Sequence, residues 1–177
     1  TRTMTFLGND LAGAKLAATI LLTLPGVPFV YYGEEIGMTG DKPDERLRTP
    51  MHWTTGAAAG FTSGTPWQAL QPDSLTANVA AQDRAPGSLL TLYRRLMRAR
   101  ANNSALRTGA LIPVETGNEA VLAYIRQDGA RAVLVLANLG TAAAASIATP
   151  AGYVPRTRVP RTLAPRQAYI VEMTKRP

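Results

Sequence analysis

The chain of 177 residues is 46% hydrophobic and 18% charged, enough apolar content to bury one substantial core or two small ones and too much for a disordered polypeptide. It has no cysteine, which excludes a disulfide scaffold and thiol chemistry. Its net charge of +7 comes mostly from arginines spread over several segments, so nucleic-acid binding is not expected, because such binding needs clustered charge and a reading element.

In chain order, Asn9 or Asp10 is placed to cap a helix over 11–24, with Leu16, Ile20 and Leu24 at i, i+4 and i+8 on one face. Pro25, Gly26 and Pro28 end it and interrupt the apolar run 16–32 short of the roughly 20 residues that a bilayer span requires, so no membrane segment is expected. Residues 27–32 are β-branched or aromatic without alternation, which predicts a strand buried on both faces, as in a parallel sheet covered by helices. A stretch rich in Gly, Thr and Pro from 37 to 85 lacks periodicity and reads as a long functional loop. A helix is predicted over 88–100, capped by Asp83, Gly87 or Ser88 and ended by Asn102, Asn103 and Gly109; its apolar stripe is Leu89, Leu92, Leu96 and Ala99, with Arg94 and Arg98 on a solvated flank. Beyond it the period becomes two. Strands are predicted at 110–115, 120–126 and 131–138, with tight turns at Gly117-Asn118 and Asp128-Gly129, and weaker strands at 142–147, 157–159 and 167–173.

The string LPGVPFVYYGEEIGM (24–38), followed in order by DERLRTPMHW (44–53), AGFTSGTPWQAL (59–70) and NVAAQDRAPGSLLTLYRRLMRAR (78–100), resembles the alpha-amylase superfamily, glycoside hydrolase family 13, in its alpha-glucosidase and oligo-1,6-glucosidase branch. The resemblance implies an α/β plus all-β fold: residues 1–109 would supply the C-terminal portion of a TIM (β/α)8 barrel, namely helix seven, strand eight, a long loop and helix eight. Residues 110–177 would form an antiparallel β-sandwich domain, with the boundary near Gly109. The family's catalytic aspartate, acid/base glutamate and third aspartate lie on strands four, five and seven, so all three are expected upstream of Thr1. Thr1-Arg2-Thr3-Met4 resembles the segment directly after the family's Asn-His-Asp motif, and the expectation is a C-terminal part of a longer enzyme with no catalytic residue of its own.

Several residues then become candidates for the chemistry. Glu34 and Glu35 look like a carboxylate pair, but neighbours on an extended strand point to opposite faces, whereas glycoside hydrolysis needs two carboxyls converging on one bond about 5–10 Å apart. They are therefore assigned supporting roles, Glu34 at the substrate and Glu35 behind it. Arg48 is the strongest candidate for substrate contact, because a guanidinium offers a planar fork of donors and the matching arginine in the resembling enzymes faces the cleft. The alternative for Arg48 is a loop salt bridge with Asp44 or Glu45. Tyr31, Tyr32, Trp53, Phe61 and Trp67 are either sugar-stacking faces or packing residues, with Tyr32 placed at the substrate. His52 stands where relatives often carry glutamine and is read, with Arg2, as a hydrogen-bonding support. No metal and no cofactor is expected, since one histidine, no cysteine and the spacing of Asp41, Asp44 and Glu45 fit no metal site.

The expected activity is retaining cleavage of α-glucosidic bonds in short α-glucans or disaccharides by the longer enzyme, this chain alone being inactive. A transferase or isomerase such as a trehalose synthase is an alternative, because one fold hosts both chemistries. A non-catalytic carbohydrate-binding or structural module is the other. It is disfavoured because Leu16, Ile20 and 27–32 would face water in a free-standing piece, so the missing barrel part or a second copy is expected to cover them. Composition leaves the compartment open.

Overall fold

The structure, a computed structural model, describes residues 1–176 and divides into two compact units. The first contains Thr1–Lys15 and Phe29–Arg95, and the second contains Leu16–Pro28 and the chain from Leu96 onward, so the division falls within two long helices.

The first unit begins with the single-turn helix α1 (Thr3–Phe6) and the start of α2 (Leu11–Thr23). Asp10 caps α2, its carboxylate accepting the Gly13 N–H at 3.0 Å, while Asn9 takes a left-handed φ of 65°. The region 37–85, which reads from sequence as a long loop without periodicity, holds α3 (Asp44–Leu47), α4 (Val79–Gln82) and single-turn 3-10 helices at Ala57–Gly60 and Pro72–Leu75, and a further 3-10 turn at Glu34–Ile36 precedes it. None of these is longer than four residues, too short to leave a hydrophobic period in the sequence. Asn78 caps α4 by accepting the Ala81 N–H at 2.8 Å. Gln82 then joins α4 to two other segments, donating to the Ile36 carbonyl and accepting the Leu90 N–H. Ser88 caps α5 (Leu89–Asn102), accepting the Thr91 N–H at 3.1 Å. The apolar centre of this unit is Ile36, Met38, Met51 and Leu90, with Val79 against it.

Residues 27–32 are a correction to the sequence reading. They form no β-ladder among the described residues, and Val27 and Phe29 are 78% and 87% exposed. An extended segment becomes a strand only when a neighbour takes up its N–H and C=O groups, and no strand pairs with it among the described residues.

The second unit is built on the sheet β1 (Ala110–Pro113), β2 (Val121–Asp128), β3 (Arg131–Asn138), β7 (Ala168–Lys175) and β5 (Tyr153–Pro155), in the spatial order 1-2-3-7-5 and antiparallel throughout. Asp128 pairs with Arg131 across a two-residue turn led by Gly129, at φ 57°. A second, two-stranded sheet joins β4 (Ala144–Ala145) to β6 (Thr162–Leu163). One face of the larger sheet, carrying Ile125, Leu134, Leu136, Val171 and Met173, packs on Ala144, Leu163 and Val159. The opposite face, carrying Tyr124, Val133 and Val135, packs on Ala105 and Leu106 of α6 (Ser104–Arg107). Both faces of β3 are therefore covered, and it is buried along nearly its whole length. Residues 157–159 are not a strand, contrary to expectation; β5 and β6, on either side of them, are, and both are too short to show alternation. Helix α6 likewise departs from expectation, because Asn103, a stop signal in the sequence, caps a further turn by accepting the Ala105 N–H.

The C-terminus of α2, in this same unit, is gripped by two arginines. Arg126, fully buried, donates from Nε and Nη2 to the Gly109 carbonyl at 3.3 and 2.8 Å and from Nη1 to the Thr23 carbonyl at 2.5 Å. Arg100 donates to the carbonyls of Leu22, Leu24 and Gly26 at 3.0, 2.8 and 2.5 Å. Cations at a helix C-terminus complement its dipole and satisfy carbonyls that the last turn leaves unpaired.

Candidate functional site

The hub of the site is Arg2, which is only 2% exposed. Its guanidinium lies 4.8 Å from the Tyr31 ring centroid and 4.9 Å from that of Tyr32, the two rings being tilted at 54° with centroids 4.7 Å apart. The Nε donates to the Leu47 carbonyl at 3.1 Å and Nη1 to the Tyr32 carbonyl at 2.7 Å, while Glu34 Oε1 stands 3.8 Å from Nη1 as an ion pair without a hydrogen bond. Two aromatic faces and one carboxylate compensate a cation taken out of water.

Glu34 and Glu35 occupy a 3-10 turn, not the extended strand assumed from sequence, so they are about a third of a turn apart rather than on opposite faces. Gly33 makes this turn possible. Its φ is 82°, and a Cβ there would lie 2.4 Å from the sulfur of Met38, which is fully buried. Both carboxylates act on one phenol: burial, then Glu34, then Glu35 push the Tyr93 hydroxyl up to about 12. Tyr32 is also raised, chiefly by burial and by Tyr31, and its hydroxyl donates to the Thr49 carbonyl at 2.9 Å.

Residues 47–49 are thus tied to Arg2 through Leu47 and to Tyr32 through Thr49, and Arg48 projects from between them. The Arg48 side chain is exposed and pairs with Asp44 at 3.2 Å, one turn earlier. Asp44 also accepts from Lys42, and that bond, then the Lys42 and Arg48 charges, holds its carboxyl below the usual range. His52 lies apart from this group. It is fully buried, and Nδ1 must carry the proton because it meets the Ala77 carbonyl at 3.0 Å. Asp73 Oδ1 is 3.9 Å from the same nitrogen, while Asp73 Oδ2 accepts the Thr39 N–H.

The structure therefore gathers Arg2, Tyr32, Glu34 and the backbone around Arg48, brings the charges of Glu34 and, less strongly, Glu35 to act on Tyr93, and leaves His52 as a separate anchor of its loop. Sequence reasoning did not find Tyr93 or Asp73 as partners, since separations of more than 50 residues between Tyr93 and the glutamates and 21 between His52 and Asp73 leave no local signal. Among the described residues, no three His, Cys, Asp or Glu side chains are grouped to hold a metal ion, and no helix is long and apolar enough to cross a membrane.

Residues 1–109 match the family model described as "Alpha amylase, catalytic domain", and the chain belongs to the alpha-amylase family. Within that family it is 37% identical over 141 residues to alpha-amylase 3 of Dictyoglomus thermophilum, covering 78% of this chain and 28% of that protein. It is 39% identical over 153 residues to a trehalose synthase of Thermus thermophilus, covering 78% and 16%, and 30% identical over 178 residues to an oligo-1,6-glucosidase of Bacillus cereus, covering 77% and 32%. The chain thus spans at most about a third of these relatives. An isomaltulose synthase from a Klebsiella species shares the fold, with a TM-score of 0.82 at 24% identity over 97% of this chain and 41% of that one. One from Erwinia rhapontici, solved as a variant with D-glucose, gives 0.79 at 27% identity over 99% and 41%.

Proposed function

We propose that this chain is the C-terminal part of a retaining α-glycosidase acting on short α-glucans or disaccharides. Residues 1–109 complete its (β/α)8 barrel, and residues 110–177 form its β-domain. The observation that carries this reading is the match of residues 1–109 to the alpha amylase catalytic domain. The boundary is supported by the end of that match and by β1 beginning at Ala110. The exposed Val27 and Phe29 are consistent with strand eight awaiting its barrel neighbours, supplied by an upstream part or by a second copy.

In this reading Arg48, Tyr32 and Glu34 contact substrate hydroxyls. Arg2 fixes Tyr32 and Glu34 in place, Glu35 shapes the field around Tyr93, and His52 holds the adjoining loop. The nucleophile and the acid/base carboxylate lie upstream, so the chain alone hydrolyses nothing. A second reading, α-glucosyl transfer or isomerisation, is supported by the 39% identity to a trehalose synthase. Both reactions share the glycosyl-enzyme step and differ in the acceptor.

The test is release of p-nitrophenol from p-nitrophenyl α-glucoside by the chain alone and by the chain mixed with the upstream barrel part. Activity only in the mixture is the expected result, and activity in the chain alone overturns the assignment. Sucrose and maltose, followed by chromatography of the products, separate hydrolysis from isomerisation.

A further inference from the structure

Residues 37–40 lead out of the turn that carries Glu34 and Glu35, and they belong to no helix or strand. The turn closes through the Gly37 N–H on the Glu34 carbonyl at 3.1 Å and the Met38 N–H on the Gly33 carbonyl at 2.9 Å. Past it, side chains take up the backbone. The Thr39 N–H donates to Asp73 Oδ2 at 2.8 Å and the Gly40 N–H to Thr5 Oγ1 at 2.8 Å, while the Ile36 carbonyl accepts from Gln82 Nε2 at 2.8 Å. A backbone without a ladder takes the conformation that such partners dictate, because its buried N–H and C=O groups have to be paired.

Both loop partners are themselves fixed. The Asp73 carbonyl accepts the N–H groups of Thr76 and Ala77 at 2.9 and 2.7 Å, and the Ala77 carbonyl accepts Nδ1–H of the fully buried His52. Gln82 Oε1 accepts the Leu90 N–H at 3.1 Å. Asp73 Oδ1 is buried without a hydrogen-bond partner, so this carboxylate is a costly way to hold one N–H, which sets Asp73 apart from an ordinary loop anchor. Glu34, by contrast, stands 3.8 Å from Arg2 Nη1 without a hydrogen bond, and the backbone of its turn is what places its carboxylate.

We infer that Asp73 and Gln82 are positioning residues for the Glu34 carboxylate: from the long loop they fix the backbone at the end of its turn, and with it the point where Glu34 meets a substrate hydroxyl. The substrate contact rests on the reading above, while the positioning rests on the hydrogen bonds to Thr39 and Ile36. Groups held in place before a ligand arrives spare binding the cost of ordering them.

The chain, mixed with the upstream barrel part, is assayed on p-nitrophenyl α-glucoside as wild type, Asp73→Ala, Asp73→Asn, Gln82→Glu, Glu34→Gln and D73A combined with E34Q. D73A is expected to raise KM about tenfold with kcat held, the effect of losing one hydrogen bond between a charged group and substrate. D73N keeps an acceptor for the Thr39 N–H and is expected to restore KM. Q82E keeps the acceptor for Leu90 but loses the donor to Ile36; it is expected to behave as D73A does, and it carries the test if D73A does not fold. Because the effect passes through Glu34, D73A should add nothing to E34Q. A merely structural residue would lower kcat at unaltered KM, since its loss reduces only the amount of folded enzyme. Where E34Q itself raises KM, that result, an unaltered KM in D73A or Q82E, a D73N as impaired as D73A, or a full D73A effect on top of E34Q overturns the proposal. Amide NMR of the 177-residue chain decides the positioning without catalysis: the Glu34 and Glu35 signals should shift in D73A and stay in place in D73N. Signals unmoved in D73A overturn the proposal even if the mixture is active. Signals that move as expected, in a mixture that is inactive or whose KM is indifferent to E34Q, sink only the enzymatic reading.

Discussion

Replacing Arg126 by methionine should destabilise the second unit by about 3 kcal/mol. The side chain is fully buried, and its three nitrogens satisfy the Gly109 and Thr23 carbonyls, the second of which ends α2. Methionine fills much of the same space but leaves two buried acceptors unmet, at about 1–3 kcal/mol each. Against this stands the cost of burying a cation whose hydrogen-bond partners are carbonyl oxygens; burial, and then the Arg100 charge, lowers the tendency of Arg126 to hold its proton. That penalty brings the sum down from the upper end of the range, giving about 3 kcal/mol. Neighbouring Tyr124 supplies an independent contact: Thr23 Oγ1 donates to the Thr19 carbonyl at 2.6 Å, so at 2.6 Å from the Tyr124 hydroxyl it must be the acceptor. Tyr124→Phe should therefore cost only about 1 kcal/mol. The assay is urea unfolding followed by far-ultraviolet circular dichroism on wild type, both single variants and the double variant. Loss of less than about 1 kcal/mol in R126M, or a gain, would show that desolvation outweighs the carbonyl contacts and would refute the reasoning.

Gly33→Ala should destabilise the first unit by about 2–4 kcal/mol, because it combines a left-handed backbone at φ 82° with a Cβ placed 2.4 Å from the Met38 sulfur; an unchanged thermal midpoint would contradict this. Tyr93 links stability to pH. With its hydroxyl raised to about 12 when folded and ordinary near 10 when unfolded, its contribution is complete below pH 10 and is lost between 10 and 12, by about 2–3 kcal/mol. Urea midpoints at pH 8, 10 and 11.5 should fall less steeply in Tyr93→Phe than in wild type. Arg48→Ala should leave the melting temperature nearly unchanged, since its pair with Asp44 is exposed, while raising KM in the reconstituted enzyme at least about tenfold if it binds substrate. An unaltered KM would leave Arg48 as a loop ion pair.

The sequence identified features that depend on near neighbours. Helix 11–24 was legible from the spacing of Leu16 and Ile20 and from the cap at Asp10, and strand 131–138 matched to the residue because turn and β-branched signals frame it. The motif strings carried the family. Short elements escaped: a four-residue helix after Asn103 or a two-residue strand at Thr162–Leu163 is held by contacts far along the chain and has no period to read. Residues 27–32 show the opposite failure, a strong local strand pattern that remains unpaired because a ladder requires a second strand.

Local sequence, then, determined the helices, the main strands and the candidate residue types, because propensity, capping and alternation act over a few residues. Only the tertiary structure decided that Arg2 is buried between Tyr31 and Tyr32, that the charges of Glu34 and Glu35 both act on Tyr93, and that Arg126 meets a helix end 103 residues away. In sequence all of these look like ordinary charged residues. Burial and partnership are properties of packed neighbours, and those neighbours are set by the fold as a whole.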